Sequence, residues 1–213
     1  RVLFRSVGSL VVKKREWKEP IGMLVLLNGK YAIAEYSDVR DDMKQERTIG
    51  GRLKFESGNI CIHAFSTKFL AEKVVPEYVK KIVPENYHIA KKTIPVWDAD
   101  TQKVVQPNEK NGIKLEMFIF DVFKFAESMV ILQVPREEQF SPVKNSTGID
   151  SPESARQMMS NLHRTWLVTA GATIIGNGLI EISPLVSYNG EGLEEFNGKT
   201  INTPCLLLPR FPA

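Results

Sequence analysis

Short runs of alternating apolar and polar residues dominate the first third of the chain, and this pattern predicts strands. The runs MLVLL (23–27) and KYAIAEY (30–36) flank Asn28-Gly29, a dipeptide that tolerates the positive φ angles of a type I′ turn. We therefore predict a β-hairpin here. Ser37 stands before the polar run DVRDDMKQER and predicts the N-cap of a surface helix.

The next segment predicts further strands and two short helices. LKFESGNICIHAFS (53–66) indicates one strand or two, broken at Ser57-Gly58, and a helix follows from Thr67. We expect Pro76 to interrupt that helix, because proline has no N–H and its ring clashes with the preceding turn. PEYVKKIV (76–83) would then form a second helix, and KKTIPVWDADTQKVVQP (91–107) predicts a hairpin with a polar tip.

The stretch from Asn111 to Asn145 joins an aromatic run to a charged loop that carries Lys144. The apolar residues of this stretch fit helical spacing, but part of the run also alternates as a strand would. Because the run is longer than a typical strand, we predict a helix over 115–125, followed by a strand over 129–134. An apolar floor and a lysine suit a ligand with a flat face and a phosphate. Aromatic runs are nevertheless more often core than ligand site.

A further helix, followed by a series of short β runs, marks the C-terminal part. Asp150, Ser151 and Pro152 predict a helix start with Glu153 in capping-box position, and Gly171 predicts its end. One apolar stripe is expected to face the core, formed by Ala155, Met158, Met159, Leu162 and Trp166. Short β runs follow from Ala172, so we predict two domains, residues 1–150 and residues 151–213.

Composition narrows the function classes. Among 213 residues, 43% are hydrophobic and 25% charged, as in ordinary soluble domains. No apolar run reaches the length of a membrane span, and the net charge of +3 is scattered rather than gathered into the basic stripe of a nucleic-acid binder. Cys61 and Cys205 have no metal or redox spacing. We therefore expect a cytoplasmic protein that binds neither membrane nor nucleic acid.

Several motifs together carry a family resemblance. NGIKLEMFIFDVFKFAE, SPVKN and EISPLVSYNGEGLE resemble, in order and approximate spacing, blocks of the eukaryotic UDP-N-acetylglucosamine pyrophosphorylases. EPIGMLVLLNGKYAIAEYSDV and GRLKFESGNICIHAF resemble two further blocks of that family. The resemblance implies an α/β fold, namely the second half of a Rossmann-like, glycosyltransferase-A-like nucleotidyltransferase domain with a mixed sheet, followed by a small β-rich C-terminal domain.

The same resemblance implies an activity and its partners. The family forms UDP-N-acetylglucosamine and pyrophosphate from UTP and N-acetylglucosamine 1-phosphate with Mg²⁺, chemistry that needs positioning and cations more than a nucleophilic side chain. Lys144 in SPVKN matches the family lysine that contacts the phosphates, where a compact positive charge would stabilise the reacting groups. Read alone, it would be a solvated loop lysine.

Five further residues match positions of the family's sugar pocket. Gly22 would let the backbone approach the sugar closely. The Glu35 carboxylate would accept hydrogen bonds from sugar hydroxyl groups, and the Asn59 amide could both donate and accept hydrogen bonds. Without the resemblance, other interpretations are equally good: Gly22 could simply begin a strand, Glu35 could be a charge on an edge strand, and Asn59 could form a turn. Phe118 and Phe120 match aromatics beside the N-acetyl and sugar groups, but a helix cannot present both on one face, so core packing competes.

The chain departs from the family pattern in three ways. Ile62 stands before His63 where the family usually has asparagine, and we leave His63 out of the catalytic set because an ionised phosphate needs no base. A glycine-rich loop ending in Thr-Arg-Leu-Gly is not found, and the Mg²⁺ aspartate is not identifiable. Because the chain also starts at Arg1, we expect the UTP and Mg²⁺ sites in an N-terminal half and this chain alone to be inactive.

Three alternatives to this function stay open. One is a pyrophosphorylase for another UDP-sugar, since one pocket change alters sugar choice. The second is a non-catalytic fragment that binds sugar nucleotides or serves as a scaffold. The third is a plain interaction domain, for which Lys144→Ala would change nothing measurable.

Overall fold

A computed structural model describes residues 6–81 and 84–209 and divides the chain into two compact units. Unit 1 ends at Gln133 and unit 2 begins at Val134, earlier than the boundary that the sequence predicted after residue 150. The reason is local packing: the strand that ends at Gln133 is bound into the sheet of unit 1, whereas residues 136–139 pack on the long helix of unit 2.

Unit 1 is built on a mixed five-stranded sheet with two smaller antiparallel pairs. Its strands are β1 Val7–Lys13, β2 Met23–Leu27, β3 Lys30–Ala34, β4 Ser57–Phe65, β5 His88–Lys92, β6 Val96–Asp98, β7 Lys103–Val105, β8 Gly112–Glu116 and β9 Met129–Gln133. The main sheet has the order β3-β2-β4-β1-β9, with β9 parallel to β1 and the other pairs antiparallel. β5 pairs with β8 and β6 with β7.

Both predicted hairpins are confirmed. β2 and β3 are joined at Asn28 and Gly29, whose φ angles are 50° and 76°, as a primed turn requires. β6 and β7 pair from Val96↔Val105 to Asp98↔Lys103. In both segments the residues predicted to form the turn lie between the two strands that pair.

The helix predictions in unit 1 need correction. Helix α1 spans only Asp41–Gln45 and its N-cap is Arg40; the Ser37 hydroxyl donates to Asp38 instead, so the predicted N-cap is wrong. Helix α2, Thr67–Phe69, starts where predicted and continues as a π-helical segment, Leu70–Val79, through Pro76. Its bonds reach five residues back, as from Lys80 N–H to the Val75 carbonyl, and such wide turns accommodate a proline.

The aromatic stretch is not one helix. Residues 112–116 form β8, because β5 offers them a partner, and a 3₁₀-helix, Ile119–Phe125, follows. The predicted strand after it is confirmed as β9. The 3₁₀-helix buries aromatic and aliphatic side chains in the core of unit 1, which comprises Val7, Val11, Leu24, Phe69, Val74, Tyr78, Phe120, Val122 and Phe123.

Unit 2 is organised around one helix. It contains α3 Arg136–Gln139, α4 Pro152–Thr169, β10 Thr173–Ile175, β11 Ile180–Ile182, β12 Thr200–Asn202 and β13 Cys205–Leu207. β10 pairs with β12 and β11 with β13, both in parallel. α4 packs on β10 and β11, over a core of Leu167, Ala172, Ile180, Ile182, Leu193 and Ile201.

α4 forms where predicted, but two details differ. Its N-cap is Ser151, in a reciprocal capping box with Ser154, so the predicted pair of Asp150 and Glu153 is wrong. Its buried residues are Ala155, Ser160, His163 and Leu167, only one of which belongs to the predicted stripe. Two of these are polar because they hold β11: Ser160 Oγ accepts the Ile180 N–H at 2.8 Å and His163 Nδ1 accepts the Ile182 N–H at 3.2 Å.

Gly171 ends α4. Its φ of 92° stops the helix where the sequence predicted, since glycine adopts this conformation without strain. Across residues 6–81 and 84–209, no helix has the length and apolar character needed to cross a bilayer.

Candidate functional site

Gly22, Glu35 and Asn59 come together at one end of the β2–β3 hairpin. The Asn59 N–H donates to the Gly22 carbonyl at 2.8 Å. A Cβ built on Gly22 would stand 2.8 Å from Ile33 Cγ2 and 3.1 Å from Glu35 Oε1, so only glycine lets this backbone lie against the Glu35 side chain. The three predicted pocket residues are therefore neighbours, although they are widely separated along the chain.

The Asn59 side chain also has a structural role. It is buried, its Oδ1 accepts the Cys61 N–H at 3.0 Å and its Nδ2 donates to Cys61 Sγ at 3.4 Å. Cys61 has a φ of 58°, and the β1–β4 register shifts between Ser9 and Val11 at this point. Asn59 thus supports a β-bulge as well as lying beside Gly22.

Phe118 and Phe120 form a stacked aromatic pair. Their ring centroids are 4.8 Å apart with an interplanar angle of 19°, which the expected helix would have prevented. Phe118 has extended backbone angles and precedes the 3₁₀-helix, so its ring can turn towards that of Phe120. Phe120 is buried in the core of unit 1, while Phe118 is half-buried.

Asp121 connects the aromatic pair to two residues that the sequence did not single out. Its Oδ2 accepts the Phe118 N–H at 3.2 Å and the Tyr78 hydroxyl at 3.0 Å, and its Oδ1 lies 2.9 Å from His88 Nε2. Burial, helped by the Asp121 charge and hydrogen bond, raises the pKa of Tyr78 to about 12. Tyr78 and His88 are distant from Asp121 along the chain, so no spacing pattern could have indicated this network.

A cavity of about 410 Å³ lies beside these residues, within unit 1. Glu35, Phe118 and His88 contribute to its walls. Further carboxylates, the lysines of β5 and Lys110 also contribute to the lining. Gly22 lies against the wall residue Glu35, and Phe120 stacks on the wall residue Phe118. Neither Gly22 nor Phe120 lines the cavity itself. Carboxylates that accept hydroxyl hydrogen bonds, an aromatic ring and lysine charge can together bind a sugar that carries an anionic group.

Lys144 belongs to unit 2. Its side chain is exposed, while its backbone N–H donates to the Asp150 carbonyl at 2.6 Å. The Asn145 N–H donates to the same carbonyl, and Asn145 Nδ2 donates to the Ile149 carbonyl at 2.7 Å. The loop that carries Lys144 is thus held just before the N-terminus of α4.

The described part of the chain offers no metal centre. Within it, no group of three or more His, Cys, Asp or Glu side chains is placed to hold a metal ion.

Comparison with known proteins gives a consistent picture. A family model described as UTP–glucose-1-phosphate uridylyltransferase matches residues 8–191. The UDP-N-acetylglucosamine pyrophosphorylase of Saccharomyces cerevisiae is 36% identical over 209 residues, which cover 96% of this chain and 43% of that protein. The human UDP-N-acetylhexosamine pyrophosphorylase-like protein 1 is 38% identical over 221 residues, covering 94% and 43%.

Solved structures agree with these relatives. The crystal structure of the Trypanosoma brucei uridine diphosphate N-acetylglucosamine pyrophosphorylase in complex with an inhibitor superposes with a TM-score of 0.71 at 28% identity, covering 96% of this chain and 43% of that one. The mixed α/β fold and the resemblance predicted from the motifs are confirmed. The chain spans 43% of the length of each of these relatives.

Proposed function

Because this chain belongs to the UTP–glucose-1-phosphate uridylyltransferase family, we propose that it supplies the sugar-side half of a nucleotidyltransferase site. The reaction would form UDP-N-acetylglucosamine and pyrophosphate from UTP and N-acetylglucosamine 1-phosphate. One observation supports this most: Glu35 and Phe118 line one cavity, with Gly22 and Phe120 against them. A carboxylate and an aromatic ring across one cavity suit a sugar with both hydroxyl groups and an apolar substituent.

The chemistry asks little of side-chain nucleophiles. A phosphate oxygen of the sugar phosphate attacks the α-phosphorus of UTP, the bond from that phosphorus to the bridging oxygen breaks, and pyrophosphate leaves. Glu35 would accept hydroxyl hydrogen bonds and hold the sugar in place, since correct positioning supplies much of the rate. Lys144 would stabilise negative charge on the reacting phosphates.

The remainder of the site is proposed to come from the rest of a longer enzyme. We assign unit 1 to the sugar-binding half of a Rossmann-like nucleotidyltransferase domain, and α4 with β10–β13 to a connecting helix and a small C-terminal domain. UTP and Mg²⁺ would bind mainly to the N-terminal half, where Mg²⁺ would neutralise phosphate charge. The whole enzyme would act in the cytoplasm.

Two other functions have distinct signatures. The family description names glucose 1-phosphate, which favours a test of other sugar 1-phosphates as substrates. A non-catalytic fragment would bind a sugar nucleotide without releasing pyrophosphate.

The test is UTP-dependent release of pyrophosphate with Mg²⁺ and each of several sugar 1-phosphates, using this chain beside the full-length protein. We expect release by the full-length protein with N-acetylglucosamine 1-phosphate and none by this chain alone. A preference for glucose 1-phosphate would replace the sugar assignment. No release by either protein would reject the enzymatic proposal.

A further inference from the structure

His88 forms part of the candidate sugar cavity next to Phe118. The two ring centroids are 4.7 Å apart and the rings are tilted by 52°. Both residues line the cavity together with Glu35. A ligand that rests on the Phe118 ring therefore lies within reach of the imidazole.

Asp121 determines how that imidazole can bond. A carboxylate accepts hydrogen bonds and donates none, so His88 Nε2, 2.9 Å from Asp121 Oδ1, carries a proton. In the neutral ring, Nδ1 is then the acceptor. The described residues place no hydrogen bond on this nitrogen, whereas they use Nε2.

The cavity wall around His88 combines an acceptor with apolar surface. The Phe118 ring lies beside the imidazole and also lines the cavity. An acetamido group has an N–H and a methyl group two bonds from that nitrogen, so it complements an acceptor placed beside an aromatic ring. A hydroxyl group offers the donor but no methyl group to cover this apolar surface.

We propose that His88 recognises the acetamido N–H of the sugar substrate through Nδ1, with Asp121 as the residue that positions it. This inference rests on the proposed function, because it concerns the same cavity and substrate. Asp121 acts indirectly: by also holding the Phe118 N–H and the Tyr78 hydroxyl, it fixes the acceptor and the aromatic ring in one arrangement.

Two substitutions of His88 separate the ring nitrogens. Asparagine carries its amide oxygen on Cγ, as histidine carries Nδ1, so His88→Asn keeps an acceptor there and loses the reach to Asp121. His88→Gln can keep a donor to Asp121 but places no acceptor at Nδ1. Lys81→Ala is the control, because it removes an exposed ion pair with Glu77 in the same unit and leaves the Asp121 hydrogen bonds in place.

The experiment measures kcat and KM of the full-length protein with N-acetylglucosamine 1-phosphate and with glucose 1-phosphate. We expect His88→Gln to raise KM for the acetamido sugar about five- to tenfold, as the loss of one hydrogen bond implies, with little change in kcat or in the glucose 1-phosphate KM. His88→Asn should retain most of the preference, and Lys81→Ala should retain all of it.

Other results would overturn the proposal. Equal losses for the two sugars, or equal losses in the asparagine and glutamine variants, would show that His88 acts only by packing. An unchanged preference in His88→Gln would remove the residue from recognition. Either result requires an active wild-type enzyme, so it is distinct from failure of the proposed function, in which the wild type releases no pyrophosphate.

Discussion

The carboxylate of Glu35 packs against the backbone of Gly22 so closely that a Cβ at residue 22 would stand 3.1 Å from Glu35 Oε1. The same Cβ would stand 2.8 Å from Ile33 Cγ2, a separation that a real Cβ cannot tolerate. Glycine at this position therefore sets where the Glu35 side chain lies, and Glu35 is a wall of the candidate sugar cavity.

The first prediction is that Gly22→Ala both destabilises the protein and weakens sugar binding. Displacing Ile33 and Glu35 should lower the free energy of unfolding by about 1–3 kcal/mol, the range for overpacked sites, and should raise KM for the sugar phosphate. Denaturant unfolding and steady-state kinetics measure these effects. Gly50→Ala is the control, because its Cβ would meet only Thr48 Oγ1, at 4.0 Å; similar behaviour of the two variants would contradict the packing.

The second prediction concerns Glu35 and Asn59. Glu35→Ala should raise KM for the sugar phosphate about tenfold or more, since it removes a charged acceptor. Asn59→Ala should raise KM as well and also cost about 1–3 kcal/mol of unfolding free energy, because the Cys61 N–H loses its acceptor. An unaltered KM in both variants would rule out the pocket assignment.

The third prediction is that Lys144→Ala lowers turnover and leaves the fold intact. An exposed loop lysine contributes little to packing, whereas loss of a charge at the reacting phosphates should lower kcat about a hundredfold. Circular dichroism and thermal unfolding check the fold. Lys199→Ala, which removes an exposed ion pair with Glu195 of the same unit, should leave kcat unchanged; equal activity of both variants would take Lys144 out of the site.

Sequence reasoning succeeded where local chemistry decides the structure. Asn28-Gly29 specified its hairpin, since a primed turn has few alternatives for this dipeptide. At Gly171 the positive φ of 92° ended α4 as the pattern indicated. Among the five pocket candidates, Gly22 lies against Asn59 and Glu35, and Phe118 stacks on Phe120; that they bind a sugar stays a prediction.

Sequence reasoning failed where distant partners decide. Residues 112–116 became β8 through pairing with β5, and Pro76 stayed inside a helix that buries Val74 and Tyr78. Ser160 and His163 occupy the buried face of α4 because they bond to β11, which apolar periodicity cannot reveal. Asp121 contacts Tyr78 and His88 only after the chain has folded.

The fourth prediction tests the corrected N-cap of α4. The Ser151 side chain is fully buried; its Oγ accepts the Ser154 N–H at 3.2 Å and donates to the Gly148 carbonyl at 2.7 Å. Ser151→Ala should therefore cost about 1–2 kcal/mol of unfolding free energy. Glu153→Gln should cost far less, because Glu153 is not part of the observed capping box; the reverse order in denaturant unfolding would restore the pair that the sequence predicted.

The fifth prediction is a loss of stability at high pH that depends on Tyr78. Burial raises the pKa of Tyr78 to about 12 in the folded protein, above the ordinary tyrosine value near 10. Between these two values the unfolded chain loses the phenol proton while the folded protein keeps it. The protonated Tyr78 phenol therefore contributes its full share of the unfolding free energy below about pH 10, and this contribution is lost as the pH rises through about 12.

Tyr78→Phe isolates this effect, because phenylalanine has no proton to lose. At neutral pH the variant should be less stable by about 1 kcal/mol, the usual net value of a hydrogen bond, here the one to Asp121. Above about pH 10 the stability of the wild type should fall more steeply than that of the variant, and the difference between them should narrow. Urea unfolding at a series of pH values measures both curves, and lysine titration contributes equally to each; parallel curves would show that Tyr78 titrates normally.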